Sequence, residues 1–198
     1  MTNGFAPGWR KTGRGLKKAR RWGADIIFFD EVGWSFQERV AHTWAPRGHP
    51  PVLRRKSLRR ELSSAVGLSL RGKIYKRHFG RPIDGAAIIV ALDHIRRQVG
   101  GKFILVWDRA PTHRARVVTD YLGQHREISV EWLPAYAPEL NPEEYCHGNV
   151  KDRIRNSTPQ SVSEIQALVD RGFARLRRRP DLLLGFFRHA GLTVNQLW

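Results

Sequence analysis

A chain of 198 residues with 41% hydrophobic side chains, 7 Trp and 9 Phe has the material for one buried core with at most a helical appendage, which excludes a disordered tail. Lys and Arg outnumber Asp and Glu by 35 to 18, a formal net charge of +17; such a field attracts polyanions, nucleic acid above all, although any generally sticky basic protein shares it. The lone Cys146 excludes an internal disulfide framework and fits a reducing compartment, and the sequence shows neither a spanning apolar run nor a secretory leader, so no membrane partner is expected.

Residues 1–23 are basic and carry Gly at positions 4, 8, 13, 15 and 23, with Lys17–Trp22 reading as the last turns of a helix. DIIFFD (25–30) predicts a buried strand. VGWSFQER (32–39) alternates like a second strand, with Gly33 offering a tight turn between the two. TWAPRGHPPVL (43–53) holds three Pro and one Gly and is expected as a loop or hairpin tip. SSAVGLSLRGKIYKRHF reads as two strands joined at Arg71-Gly72. DGAAIIVALDHIRRQV has helical apolar spacing, with Asp84 as its cap. FILVW (103–107) is a buried strand that delivers Asp108. A helix over about 112–125 and the strand ISVEWLP follow, and residues 161–190 read as helical and basic. There is no internal repeat.

That order predicts an α/β, ribonuclease H-like fold: an antiparallel meander, then alternating strands and helices in one mixed sheet flanked by helices. Three parts are expected: a basic segment over 1–23, the ribonuclease H-like domain over 24–160, and a basic helical tail over 161–198 packed on or continuing that domain.

Carboxylates at the ends of buried strands are costly unless something pairs with them. Asp30 and Asp108 both stand in that position, and a divalent cation bridging neighbouring strands is a fitting partner. A third acid would complete a two-metal site for phosphodiester displacement. NPEEY supplies Glu143 and Glu144 in a first helical turn behind Asn141 as N-cap and Pro142. The spacing fits equally a capping box in which Glu144 reaches back to Asn141. Asp108 alone also fits a turn former or helix cap. Asp93, Asp120, Asp152, Asp170 and Glu164 are expected as surface ion pairs, and Cys146 with His147 is too little for a zinc site.

FFDEVGWSF, HTWAPRGHPPVL, VWDRAPTH and LPAYAPELNPEEY, in that order over about residues 24–155, resemble the catalytic domain of DDE transposases, specifically the bacterial insertion-sequence branch of the Tc/mariner superfamily. The resemblance implies a ribonuclease H-like domain that cleaves DNA at transposon ends and transfers the strands. It implies two Mg²⁺ or Mn²⁺ ions held by Asp30, Asp108 and Glu144. Glu31, Arg109, His113, Asn141 and Glu143 are expected near the site. Glu143 replaces an apolar family residue, Arg109 replaces an Asn found in many relatives, and His147 stands where several relatives have an aromatic. Phosphate or DNA contacts are expected from Arg10, Lys11, Arg14, Lys17, Lys18, Arg54, Arg55 and Lys56. Trp44 and Arg47 are expected on DNA or a second subunit, with a hairpin-packing role for Trp44 as the alternative. Expected partners are double-stranded DNA at transposon ends and target, a second copy of the chain in a homodimer, and a separate helix-turn-helix protein from an upstream reading frame, since the family's DNA-reading region precedes this domain. The expected place is the bacterial cytoplasm, at the nucleoid when bound to DNA. The rival readings are an inactive or truncated remnant that only binds nucleic acid, and a phosphotransfer protein with a nucleophilic Asp, for which no supporting Thr/Ser and Lys arrangement surrounds Asp30.

Overall fold

The computed structural model describes residues 23–37, 40–55 and 62–192. Three strands come first: β1 (Asp25–Trp34), β2 (Leu62–Ser69) and β3 (Ile74–Phe79). Then follow α1 (Gly85–Val99), β4 (Phe103–Trp107), a 3₁₀ turn (Pro111–Arg114), α2 (Arg116–Gln124) and β5 (Ile128–Trp132). A 3₁₀ turn (Pro138–Leu140) leads into α3 (Pro142–Ile154), α4 (Val162–Arg177) and α5 (Pro180–His189). The sheet order is β3-β2-β1-β4-β5. β1, β2 and β3 pair antiparallel, while β4 and β5 add in parallel beside β1. This is the expected mixed sheet.

The expected turn at Gly33 is absent. Gly33 lies inside β1 and faces Ser63, because β2 pairs with β1 without a break from Ile27↔Ser69 to Trp34↔Leu62. Alternating burial therefore continues through Trp34, and the two short strands read from the sequence are one. Asp30 consequently sits in mid-strand. What ends near it is the pairing with β4, whose last partners are Phe28↔Val106. The helix expected over 112–125 is interrupted at Ala115, whose extended ψ of 141° separates the 3₁₀ turn from α2. Residues 40–55 contain no strand, only a turn at Arg47-Gly48, so the hairpin-packing role for Trp44 fails: its side chain is fully in solvent.

Strand periodicity divides the core into two layers. Ile26, Phe28, Val32 and Trp34 of β1 join Ile104 and Val106 of β4 on the face covered by α3, α4 and α5, through Cys146, Val150, Phe173 and Phe187. Ile27, Phe29, Leu105 and Trp107 face α1 and α2, through Ile88, Leu92 and Val118. Asp84 caps α1 as expected, accepting from the Ala87 N–H at 2.8 Å. No helix among the described residues is long and apolar enough to cross a membrane.

One polar chain crosses the α4 side of the sheet. Trp34 Nε1 donates to Ser64 Oγ at 2.7 Å, and Ser64 Oγ lies 2.6 Å from His78 Nδ1. Since Ser64 accepts from Trp34, its own proton goes to His78. His78 Nε2 then donates to Asp170 of α4 at 3.0 Å, beside Lys76. Asp170 is thus more than the surface ion pair expected of it, for it ties α4 to β3. Ser64→Ala leaves a buried indole N–H and an imidazole nitrogen without partners. It is expected to cost about 1–3 kcal/mol, read as a lower urea midpoint with unchanged slope.

Candidate metal centre

Asp30 shares the side of β1 that carries Phe28 and Val32, and so points toward α3. The start of α3 is fastened to it. Asn141 is the N-cap: its Oδ1 accepts from the Glu143 N–H at 3.2 Å, while its Nδ2 donates to Asp30 Oδ2 at 3.0 Å and to the Phe29 carbonyl at 3.5 Å. One side chain therefore both begins the helix and docks it on the strand. That contact brings Glu144, in the first turn, to Asp30. The capping-box alternative for Glu144 does not form, because the Asn141 N–H donates to the Pro138 carbonyl instead.

Asp30, Glu144 and His147 each offer a ligand atom within 4.8 Å of the others. Burial first, and the Glu144 and Glu31 charges next, raise the Asp30 carboxyl to about 8. Such a field is costly for two carboxylates alone and is reversed by a divalent cation between them. Two carboxylates and an imidazole beside an open cavity form a donor set that fits a divalent cation such as Mn²⁺ or Mg²⁺.

Glu143 and Glu144 diverge. Glu144 is exposed toward the site, whereas Glu143 is completely buried and turned against His147. Burial, then the charges of Asp30 and Glu144, push the Glu143 carboxyl well up, while burial holds the His147 imidazole down at about 3.

Asp108 follows β4 with the same parity as Ile104 and Val106, two residues past the last pair with β1, level with Asp30. Its carboxylate is turned away from the Asp30 cluster. Oδ1 accepts from the Ala110 N–H at 2.9 Å, while His113 Nδ1 donates to the Asp108 backbone carbonyl at 3.1 Å and lies 2.7 Å from Oδ1 as an ion pair. His113 is 1% exposed, stacked on Trp107 at 4.2 Å between centroids, and its Nε2 donates to Glu31 Oε1 at 2.8 Å. Burial opposes a charged imidazole here, but the hydrogen bond and charge of Glu31, helped by Asp108, outweigh it and raise His113. His113 therefore ties the Glu31 carboxylate of β1 to Asp108, just past β4, on the side of the sheet opposite Asp30.

Arg109, Arg47 and Arg54 are exposed and Arg55 half-buried. Arg10, Lys11, Arg14, Lys17, Lys18 and Lys56 lie outside the described residues. A cavity of about 320 Å³ opens beside the acids, lined by Glu31, Glu144, His147, Lys151 and Arg155 among others. Sequence reading missed Lys151 and Arg155. Their positions, seven and eleven residues after Glu144, are the helical spacing that would have shown them.

The family model described as DDE superfamily endonuclease matches residues 25–166. The chain belongs to this family. As a DDE superfamily endonuclease it shares its fold with the catalytic domain of Mos1 transposase. The pre-cleavage Mos1 transpososome matches at a TM-score of 0.62 and 20% identity, covering 91% of this chain and 60% of that one. The Mos1 strand transfer complex matches at 0.60 and 22%, covering 91% and 59%. The Mos1 transposase catalytic domain with raltegravir and Mn matches at 0.53 and 20%, covering 90% of each chain. The endonuclease chain thus spans about three fifths of the Mos1 chain in those complexes. No curated protein sequence matches it significantly.

Proposed function

We propose that this endonuclease is the catalytic domain of a Tc/mariner-type transposase of the bacterial insertion-sequence branch, cutting DNA at transposon ends and joining those ends to a target. Asp30, Asp108 and Glu144 hold its Mg²⁺ or Mn²⁺ ions. The observation that carries the reading is the meeting of Asp30 and Glu144, 114 positions apart in sequence, through the Asn141 contact. When bound, such ions activate the attacking hydroxyl or water and stabilise the leaving oxygen of a phosphodiester.

The chain's own residues do the rest. Asn141 fixes the Asp30 carboxyl by a 3.0 Å hydrogen bond. Glu31 and His113 hold the end of β4 against β1, and thus the position of Asp108. Asp108 follows β4 two residues beyond its last pair with β1, in step with Asp30, which supports its part in the site. Lys151 and Arg155 follow the cavity and meet phosphates of a strand lying in it. Exposed Trp44 and Arg47 suit a DNA or second-copy contact in a dimeric assembly, with end recognition supplied by a helix-turn-helix protein. Mos1 forms paired-end complexes with Mg and with Mn, which supports this assignment of metal and assembly.

The test is cleavage of end-containing duplex DNA with Mg²⁺ or Mn²⁺, alongside binding at two salt concentrations. Wild type is expected to cut. Asp108→Asn is expected to lose at least about 100-fold in rate with DNA affinity unchanged. Binding without cation-dependent cleavage in the wild type identifies the DNA-binding remnant instead.

A further inference from the structure

Glu143 and His147 lie one helical turn apart on α3, and Glu143 Oε2 rests against His147 Nε2. Glu143 is 0% and His147 5% exposed. Despite the contact, His147 Nε2 and both Glu143 oxygens lack a hydrogen bond of proper geometry. Three polar atoms buried in that way are costly, and the Asp30–Glu144 contact explains none of them. An imidazole on the wall of a carboxylate-lined cavity, with another carboxylate behind it, is the arrangement of a metal-ligating histidine and its orienting acid.

We propose that His147 is a nitrogen ligand of the cation held by Asp30 and Glu144, with Glu143 as its positioning residue, and that this ligand shifts the centre's preference from Mg²⁺ toward Mn²⁺. The proposal rests on the carboxylate site described under Proposed function. The three ligand atoms lie within 4.8 Å of one another, a spread that a single cation spans. Glu143 rests against Nε2, so a cation taken on Nδ1 would have Glu143 as the acid at the opposite ring nitrogen. Trp34 stands edge-on to the imidazole at 6.4 Å and 85° and walls the ring in. Mg²⁺ strongly prefers oxygen donors and gains little from the ring, whereas imidazole adds affinity for first-row transition ions.

Mn²⁺ itself is the probe. Electron paramagnetic resonance titration of the purified chain counts bound Mn²⁺, and pulsed measurement of ¹⁴N modulation reports a directly bonded nitrogen. The expected wild-type result is bound Mn²⁺ with ¹⁴N coupling that Asp30→Asn abolishes. His147→Phe is expected to retain binding, lose the coupling, and weaken Mn²⁺ by about tenfold while Mg²⁺ competition changes by less than about threefold. Glu143→Gln is expected to keep the coupling and to lose roughly tenfold in Mn²⁺ affinity. Bound Mn²⁺ without nitrogen coupling in the wild type overturns the role of His147 and leaves the carboxylate site standing. No Mn²⁺ binding at all overturns both. The wild-type spectrum decides even where a variant fails to fold.

Discussion

Glu144→Gln is expected to abolish cation-dependent DNA cleavage while stabilising the cation-free protein. Both effects come from one geometry. Glu144 and Asp30 present carboxylate oxygens to each other in a partly buried cleft, and the Glu144 charge is, after burial, the largest cause of the raised Asp30 carboxyl. An amide removes that repulsion and can donate to Asp30. Because Glu144 is exposed, solvent screens much of the interaction, and the gain is set at about 1 kcal/mol. The same amide is a poor ligand for a hard divalent ion. Loss of one carboxylate from the site is expected to lower cleavage by about three orders of magnitude or more. Asp30→Asn should show the same opposition with a larger stabilisation, since its carboxyl is the more buried of the two. The measurements are urea midpoints in chelator and single-turnover cleavage rates. A variant that loses both stability and activity would mean that Glu144 holds the fold and not a cation.

Such an opposition is what a sequence can foreshadow but not place. The strands were legible because the apolar runs of β1 and β4 and the apolar–polar alternation of β5 are strong local signals, and the Asp84 and Asn141 caps are local chemistry. Gly33 misled because a glycine in an alternating segment reads as a turn, whereas uninterrupted pairing with β2 keeps it in the strand. Asp30 and Glu144 were legible as candidates, but the agent of their meeting, the Asn141 amide on Asp30, depends on long-range packing. The direction of Asp108 was equally beyond reach. Its backbone keeps the expected register, while its carboxylate answers to His113, a buried residue held by Glu31 on the opposite side of the sheet. His147 stayed hidden for a related reason. A lone histidine on a helix carries no site signal until the helix is docked and the ring is found buried between Glu143 and Trp34.

The cation-free protein is expected to lose stability as the pH rises from about 6.5 to 8. The folded Asp30 carboxyl titrates near 8, far above its ordinary 3.8, so across that span the folded state keeps a proton that the unfolded chain has released. Stability contributed by such a group is full below the unfolded value and disappears on the way up. Glu143 and His113, both raised, act in the same sense. His78 and His147 act in the opposite sense. Burial, with nearby lysines, holds them at about 4 and about 3, so what their neutrality contributes is lost as the pH falls below 6.5. The opposed trends overlap until the unfolded histidines, ordinarily near 6.5, have released their protons; towards pH 8 the raised groups set the slope. In chelator the melting temperature should therefore drop across pH 6.5–8, by on the order of 5 °C for a chain of this size. Millimolar Mn²⁺ or Mg²⁺ should reverse the drop, with the largest rescue at pH 8, where the ion competes with the fewest protons. Asp30→Asn should flatten the slope and remove most of the rescue. A melting temperature that climbs through that window in chelator, or a rescue undiminished in Asp30→Asn, would place the cation elsewhere than at Asp30.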